Sequence, residues 1–172
     1  MAIESFGRES IVDSDVDSYV TVARNWQAGD IISLELAMPP RYTVADERLD
    51  GVRGCVALER GPVVYCLEQA DVPECSIDQV AGDPTQPVEP GNADDVDAET
   101  LVLSVAGMQF RSSDHEWPYR PAEAHRSGSP EPLRLTLVPY YMWSNRSDDA
   151  MRVWIPRVQL LQSKLDEAAD TR

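Results

Sequence analysis

Apolar and polar residues alternate with a period of two along much of the chain, most clearly at residues 31–38. Because successive side chains of a β-strand point to opposite faces of a sheet, this alternation predicts a half-buried strand. Residues 18–26 are rich in β-branched and aromatic residues, and residues 27–30 separate the two runs, so we predict a β-hairpin. Four apolar side chains share one face of its second strand: Ile32, Leu34, Leu36 and Met38.

The apolar runs at residues 55–68 and 101–106 also have the composition of strands. Pro62 interrupts the first run, and since proline has no N–H to donate to a β-ladder, the chain is expected to turn or bulge there. Helical periodicity is confined to residues 158–169, which we expect to form a short amphipathic helix or a frayed tail. The pattern as a whole predicts an all-β fold.

The run from residue 133 to residue 156 concentrates aromatic residues around a polar turn. Residues 133–138 and 151–156 alternate as strands do, so we predict a hairpin with residues 144–149 at its tip. Rings in strands usually fill a core or cover an interface, because they suit a pleated, half-buried surface. The alternative is a sugar-binding platform, since a flat ring can stack on the apolar face of a sugar. The candidates for either role are Tyr140, Tyr141, Trp143 and Trp154.

Two proline-rich stretches, residues 69–100 and 111–132, interrupt the strands. The span 66–100 carries ten Asp and Glu residues and no Lys or Arg, which favours a solvated excursion over a folded element. We therefore expect both stretches to be long loops outside the sheet.

The net charge of −15 and the pI of about 4.4 narrow the list of partners. Phosphate recognition needs clustered Lys and Arg, so this acidity argues against a nucleic-acid partner and against an anionic membrane surface. No apolar run approaches the length of a membrane span, and the first ten residues lack the basic and apolar blocks of a signal peptide. From these features we expect a cytoplasmic protein.

The sequence contains none of the usual catalytic or metal-binding patterns. Three cysteines are too few and too irregularly spaced for a disulfide framework or a zinc site, so we interpret them as buried or half-buried thiols. Neither histidine has a sequence reason to lie beside a nucleophilic Ser or Cys. Adjacent acidic residues lack the apolar pocket of a glycosidase dyad and the ligand spacing of a calcium loop. The residues concerned are Cys55, Cys66, Cys75, His115, His125, Asp94, Asp95, Asp148 and Asp149.

Three blocks of the chain together carry a more specific signal. They read YVTVARNWQAGDIISLELAMPPR (19–41), GCVALERGPVVYCLEQAD (54–71) and LVPYYMWSNRSDDAMRVWIP (137–156). In this order they resemble the C-terminal part of glycoside hydrolase family 127, the β-L-arabinofuranosidase family. The residues that carry the match are Arg24, Asn25, Trp26, Gly29, Asp30, Arg60, Gly61, Pro62, Val64, Tyr65, Pro139, Tyr140, Tyr141, Trp143, Asn145, Arg146 and Met151.

The resemblance implies an α/α barrel that carries the chemistry, followed by two β-sandwich domains. On that pattern residues 1–40 are the closing strands of a truncated first sandwich, residues 41–160 are the C-terminal sandwich, and residues 161–172 are a short helix or a disordered tail. The barrel is missing, so we expect either a fragment of a longer enzyme or a stand-alone sandwich. The predicted fold is a jelly-roll-like antiparallel β-sandwich with long acidic, proline-rich loops and an N-terminal β-hairpin left from the preceding sandwich.

The resemblance also implies a mechanism for the parent family: retaining hydrolysis by a zinc-bound cysteine thiolate, with a glutamate among the zinc ligands. Zinc suits this role because it lowers the pKa of a thiol and holds it in place. Those residues belong to the barrel, and Cys55, Cys66 and Cys75 do not match its ligand motif. We therefore assign this chain no catalytic residue, no cofactor and no metal, and we expect it to be inactive alone.

Two functions remain in competition. In the first, the chain is a non-catalytic accessory β-sandwich that braces the barrel, which is missing or separately encoded. In the second, it is a stand-alone carbohydrate-binding module that uses exposed Tyr and Trp rings. The N-terminal hairpin has an unpaired edge in either case, and since free sheet edges pair readily, we also expect self-association through it.

Overall fold

The elements that lie wholly within the described part of the chain are strands and three-residue 3₁₀ turns, and the strands agree with the period-two alternation. The computed structural model describes residues 2–5, 11–14, 20–23, 25–92, 96, 100–111 and 129–158. The chain divides into two units, Met1–Met38 and Pro39–Arg172. The all-β prediction is therefore confirmed.

Four short strands form two antiparallel pairs in the first unit. They are β1 (Ala2–Ser5), β2 (Ile11–Ser14), β3 (Val20–Ala23) and β4 (Ile32–Glu35). β1 pairs with β4, and β2 pairs with β3. An N-terminal β-hairpin is thus present, but β2 and β3 form it. The predicted pairing of residues 18–26 with residues 31–38 is wrong, because each run bonds to an earlier strand.

The predicted turn at residues 27–30 is confirmed, although the strands it joins belong to different pairs. The Asp30 N–H donates to Gln27 O at 3.1 Å, and the Gln27 N–H donates to the Asp30 carboxylate at 2.8 Å. Gly29 has a φ of +95°, a conformation that glycine adopts without steric cost. Self-association through this region stays a prediction.

Nine strands form one antiparallel sheet in the second unit. They are β5 (Pro40–Val44), β6 (Cys55–Arg60), β7 (Val63–Glu68), β8 (Val80–Gly82), β9 (Glu89–Gly91), β10 (Val102–Gln109), β11 (Glu131–Pro139), β12 (Met151–Arg152) and β13 (Ile155–Pro156). The hydrogen-bonded order is β13, β6, β7, β11, β10, β8, with β5 beside β6, β12 beside β7 and β9 beside β10. Gly82 in β8 bridges to Arg157 after β13, so the two ends of this path meet. The sheet is a curled half-barrel, a β-sandwich-like fold as predicted.

Alternate side chains of these strands fill the inside of the half-barrel. On β7, Tyr65 and Leu67 join the inner core, whereas Cys66 packs in a separate outer cluster with Val102 and Val138. Burial of such side chains contributes roughly 25 cal/mol per Å² of apolar surface and is the main force that holds the sheet closed. The inner core consists of Leu58, Tyr65, Leu67, Val72, Ile77, Val80, Leu103, Val105, Leu135, Leu137 and Ile155.

The turn predicted at Pro62 is confirmed. β6 and β7 form a hairpin whose two connecting residues are Gly61 and Pro62. Gly61 has a φ of +56°, so the turn needs the left-handed backbone that glycine supplies directly before the proline.

The prediction of a solvated excursion is wrong for residues 69–82, which we call the acidic segment. It contains two 3₁₀ turns, Gln69–Asp71 and Ile77–Gln79, and ends in β8. Its apolar side chains enter the inner core although acidic residues stand between them in the sequence. The three that do so are Val72, Ile77 and Val80. The strand β9, further along the same stretch, then adds to the edge of β10.

The predicted hairpin between residues 133–138 and 151–156 is also wrong. β11 and β12 both bond to β7, at successive positions along that strand. The chain then bends at residues 153–154, and β13 pairs with β6. The two runs are therefore neighbours of a third strand and not of each other, which local alternation cannot reveal.

Several predicted features lie outside the described residues. These are the C-terminal helix or tail beyond residue 158, both histidines and the pair Asp94-Asp95. Within the described ranges, no helix is long and apolar enough to cross a membrane.

Candidate functional site

Three of the four aromatic candidates lie together on residues 140–150, which we call the aromatic loop. A 3₁₀ turn, Tyr140–Met142, follows directly after β11, and the Trp143 N–H donates to Tyr140 O at 3.1 Å. The exposed fractions are 44% for Tyr140, 67% for Tyr141 and 42% for Trp143. These three rings therefore do not lie in the core of this unit, and their role at an interface or in sugar binding stays a prediction. They follow the end of the strand in a turn, where alternation no longer predicts burial.

Two of the exposed rings stack on each other. The ring centroids of Tyr140 and Trp143 are 6.0 Å apart, and their planes differ by 19°. Such a pair keeps its geometry better than two isolated side chains, because ring contact adds to the burial of each ring. Trp154 lies instead at the bend between β12 and β13, where it is only partly exposed. The structure thus brings together three of the four candidates.

A buried ion network fastens the aromatic loop to the end of β7. We call Glu68, Asp71 and Arg146 the charged trio. Arg146 Nε donates to Glu68 Oε2 at 2.8 Å, and its Nη1 and Nη2 donate to the two Asp71 oxygens at 2.9 and 2.8 Å. The side chains are 11% exposed for Arg146, 2% for Glu68 and 6% for Asp71. Buried charges persist only where they are paired and hydrogen-bonded, and the planar guanidinium satisfies both carboxylates at once.

The same network holds the backbone of the aromatic loop. Glu68 Oε1 accepts a hydrogen bond from the Ser144 N–H at 3.0 Å. Ser144 has a φ of +66°, an uncommon conformation for a residue with a Cβ. At the far end of the loop, the Gln69 N–H donates to Ala150 O at 2.9 Å. The loop is therefore tied to the end of β7 through Ser144, Arg146 and Ala150.

Sequence reasoning missed two members of the charged trio. Glu68 and Asp71 were counted with an acidic stretch that we expected to be solvated. A local signal was available, because a Glu-x-x-Asp spacing at the end of an apolar strand can form a capping box, and the structure has one here. Nothing in the local sequence links this pair to Arg146, which lies more than seventy residues later.

The three cysteines lie in different surroundings. Cys66 is buried in the outer cluster, Cys75 packs against the inner core, and Cys55 lines an open pocket. Burial raises the pKa of the Cys66 thiol to about 12, and repulsion from Glu68 and Asp71 acts in the same direction. Among the described residues, no group of three or more His, Cys, Asp and Glu side chains could hold a metal ion. These thiols therefore do not fit the cysteine ligands of a zinc site.

The open pocket beside β5 and β6 has a volume of about 620 Å³ and a rim of charged side chains. Arg48 pairs with Asp46 at 2.8 Å, and Arg53 pairs with Asp50 at 3.2 Å. Hydrogen bonds from Arg48 keep the pKa of Asp46 below its usual value, so this carboxyl is an ion-pair partner and not a proton donor. These exposed pairs resemble ordinary surface ion pairs, which contribute little to stability.

A family model described as the glycoside hydrolase family 127 C-terminal domain matches residues 40–156. A curated relative, the non-reducing end β-L-arabinofuranosidase of Bifidobacterium longum subsp. longum, is 36% identical over 149 residues. That match covers 83% of this chain and 22% of the relative.

Three solved structures share the fold. One titled glycoside hydrolase has a TM-score of 0.71 at 27% identity, and covers 90% of this chain and 25% of its own. A family 127 β-L-arabinofuranosidase from Geobacillus stearothermophilus T6 has a TM-score of 0.58 at 26% identity, with coverages of 81% and 21%. A family 127 β-arabinofuranosidase at 22% identity has a TM-score of 0.69 and coverages of 92% and 23%, which shows the likeness of fold alone. This chain therefore spans about a quarter or less of the proteins it matches.

Proposed function

Because the chain belongs to glycoside hydrolase family 127 through its C-terminal domain, we propose that it is a non-catalytic accessory β-domain. Its role in this proposal is to brace the catalytic barrel of a β-L-arabinofuranosidase-type hydrolase. The match to the C-terminal domain over residues 40–156 carries the proposal. The relatives hold the matched region inside much longer chains, since it makes up only 22% of the curated relative. A domain that forms part of a longer chain in its relatives is expected to have a surface that contacts the rest of that chain.

The surface of the second unit supports this role. Large apolar patches exposed on a protein surface often mark interaction sites, and Tyr and Trp are enriched among the residues that dominate protein interfaces. The aromatic loop exposes three such rings, two of them stacked on each other, whereas Tyr65 in the same unit is buried. A bracing domain also needs a rigid body, and the closed apolar core of the half-barrel provides one.

The proposal assigns the zinc–thiolate chemistry implied by the family to the barrel and none of it to this chain. The high pKa of Cys66 supports this assignment, because a thiol that stays protonated is neither a nucleophile nor a metal ligand. The three cysteines are free. Free thiols suit a reducing compartment, so we keep the cytoplasm as the proposed location.

A turnover assay tests the absence of catalysis. The purified chain should not hydrolyse an aryl β-L-arabinofuranoside, with or without added zinc. Turnover that persists through repurification, and that follows the protein through a second separation method, would contradict the proposal.

A binding assay tests the bracing role. The partner is the Bifidobacterium longum relative produced without its own C-terminal domain. We expect the full 172-residue chain to form a complex with this truncated enzyme and to raise its melting temperature, because a ligand that binds only the folded state stabilises it. The control is the intact relative, in which the surface is already covered. A typical micromolar interface has a Kd of about 1 μM, so the absence of a complex at about 100 μM protein would contradict the bracing role.

A carbohydrate-binding module is the second candidate, and the exposure of Tyr141 and its neighbours favours it. Stacking of a sugar on a ring requires accessible faces, which these side chains have. Titration with arabino-oligosaccharides should then quench the tryptophan fluorescence of the chain, and Trp143→Ala should remove the quench. No change in fluorescence at millimolar sugar excludes this function.

A further inference from the structure

We infer that the rings of the aromatic loop are the docking surface for the catalytic barrel, and that Glu68 is the residue that positions them. This inference rests on the proposed function and adds to it the face that makes contact and the residue that sets its geometry. The occupant of this surface is the polypeptide that accompanies the domain in longer family chains, since the matched region makes up 22% of the curated relative.

The rings of the aromatic loop are accessible to a partner. Tyr140, Tyr141 and Trp143 are consecutive or nearly so, and all three are more than two-fifths exposed. Tyr140 and Trp143 stack, and Tyr141 is exposed on the same 3₁₀ turn, so we call these three rings the aromatic patch. A partner that covers this patch would remove large apolar surfaces from water at little entropic cost, since each ring has only two side-chain torsions to order.

The charged trio holds the aromatic loop in one conformation. Glu68 is the member of the charged trio that binds both a side chain and the backbone of the loop, through Arg146 Nε and the Ser144 N–H. The hydrogen bond to Ser144 supports a left-handed backbone directly after Trp143. Rings on a loop that is already ordered lose less entropy on docking than rings on a flexible one. The network therefore preorganises the patch. Glu68 influences docking indirectly, because it positions the rings that make the contact.

The charge beside the rings indicates the chemistry of the partner surface. Asp148 and Asp149 are exposed on the same loop, and Asp148 accepts a hydrogen bond from the Ser144 hydroxyl at 3.1 Å. Arg146, the basic residue of the loop, is 11% exposed and is paired with Glu68 and Asp71 in the charged trio. A complementary surface has an apolar centre with Lys or Arg at its rim, so docking is expected to slow as salt rises.

The first part of the test is a set of affinities measured by sedimentation or calorimetry with the truncated relative as partner. Tyr141→Ala should weaken binding about tenfold or more, the size of effect expected of an interface anchor. Leu49→Ala is the matched control, because Leu49 is an equally exposed apolar residue of the same unit outside the aromatic loop. We expect that control to bind as the unchanged chain does.

The second part separates positioning from stability. Glu68→Gln keeps an oxygen for the Ser144 N–H but removes the charge that holds Arg146, so the rings should lose their fixed geometry. The variant should bind several-fold more weakly, yet lose little further affinity when combined with Tyr141→Ala, because both changes remove the same contact. If Glu68 had only a structural role, Glu68→Gln would lower the melting temperature. It would also weaken binding by the same factor whether residue 141 is Tyr or Ala. Circular dichroism below the melting temperature confirms that each variant is folded.

The outcomes distinguish this inference from the proposed function. Binding that is insensitive to both Tyr141→Ala and Glu68→Gln overturns the inference and leaves the bracing role intact. An absence of any complex overturns the bracing role itself. Competition of arabino-oligosaccharides for the rings without any protein complex would overturn the inference in favour of sugar binding.

Discussion

The acidic segment and the aromatic loop both lie against the end of β7, but opposite physical forces hold them in place. The acidic segment sends Val72, Ile77 and Val80 into the inner core. Two of its three carboxylates stay exposed, and the third, that of Asp71, is buried in the charged trio. The aromatic loop does the reverse, since it places the charge of Arg146 inside and leaves its large rings in solvent. Composition alone suggests the opposite assignment for both.

The difference shows what each kind of anchor permits. Apolar burial is non-directional, so a segment held in this way must give up its apolar side chains to the core. Charged hydrogen bonds are directional, and they hold a backbone in one conformation without using its apolar side chains. A loop fastened by charges can therefore present rings to a partner, which a loop fastened by those rings cannot do.

Removing Arg146, the cation of the charged trio, should have the largest effect on stability. Arg146→Ala leaves two buried carboxylates without a counter-ion, and we expect the free energy of unfolding to fall by about 3–5 kcal/mol. Urea denaturation followed by circular dichroism measures the change. Arg41→Ala is the control, because Arg41 is 60% exposed and its ion pair with Glu59 at 2.7 Å should be worth no more than about 1 kcal/mol. Equal losses in the two variants would mean that the network does not anchor the loop.

The apolar side chains of the acidic segment should contribute nearly as much to stability. Ile77→Ala opens a cavity in the inner core, with an expected loss of about 2–5 kcal/mol. The same denaturation experiment measures it, with the exposed Leu49→Ala expected within about 0.5 kcal/mol of the unchanged chain. If the acidic segment were solvated after all, both substitutions would be neutral.

Gln69 tests whether the acidic segment also needs a polar anchor. Its side-chain amide donates to Val72 O at 3.1 Å and Cys75 O at 2.7 Å, and accepts from the Ile77 N–H at 2.9 Å. Gln69→Ala removes these hydrogen bonds, including those to Cys75 O and the Ile77 N–H, and should cost about 1–3 kcal/mol. Gln86→Ala, at an exposed position, is the control. A loss no larger than that of the control would show that apolar burial alone orders the segment.

Cys66 should have no effect on the pH dependence of stability near neutral pH, and its effect appears only above about pH 9. Its pKa is about 12 in the folded chain against an ordinary value of 9.0, so its contribution to stability is complete below pH 9 and is lost as the pH rises toward 12. The free energy of unfolding should fall in this range, and less steeply in Cys66→Ala. Thiol labelling at pH 8 offers a second measurement, in which the half-exposed Cys55 should react well before Cys66. Labelling of Cys66 at the rate of Cys55 would contradict its burial.

Local patterns predicted the elements better than their pairing. Alternation predicts the strands β4 and β11, and apolar runs of strand composition predict β6 and β7. The missing N–H of Pro62 predicts the turn between β6 and β7. The partners of β4 and β12 were predicted wrongly, since the choice of partner depends on strands distant in sequence. Three of the four candidate rings lie exposed around one turn, which alternation does not predict, and their role stays a prediction. Local sequence cannot identify Glu68 as a site residue, because its partner Arg146 is remote in the chain.

By itself, the sequence determined the all-β class and the family, because side-chain alternation and motif order are written along the chain. Only the tertiary structure decided which apolar residues are buried, which carboxylates are paired and which rings face solvent. The physical reason is that burial and charge pairing are properties of surroundings built from several distant segments. A carboxylate in an acidic stretch and a carboxylate locked to an arginine look identical until the chain has folded around them.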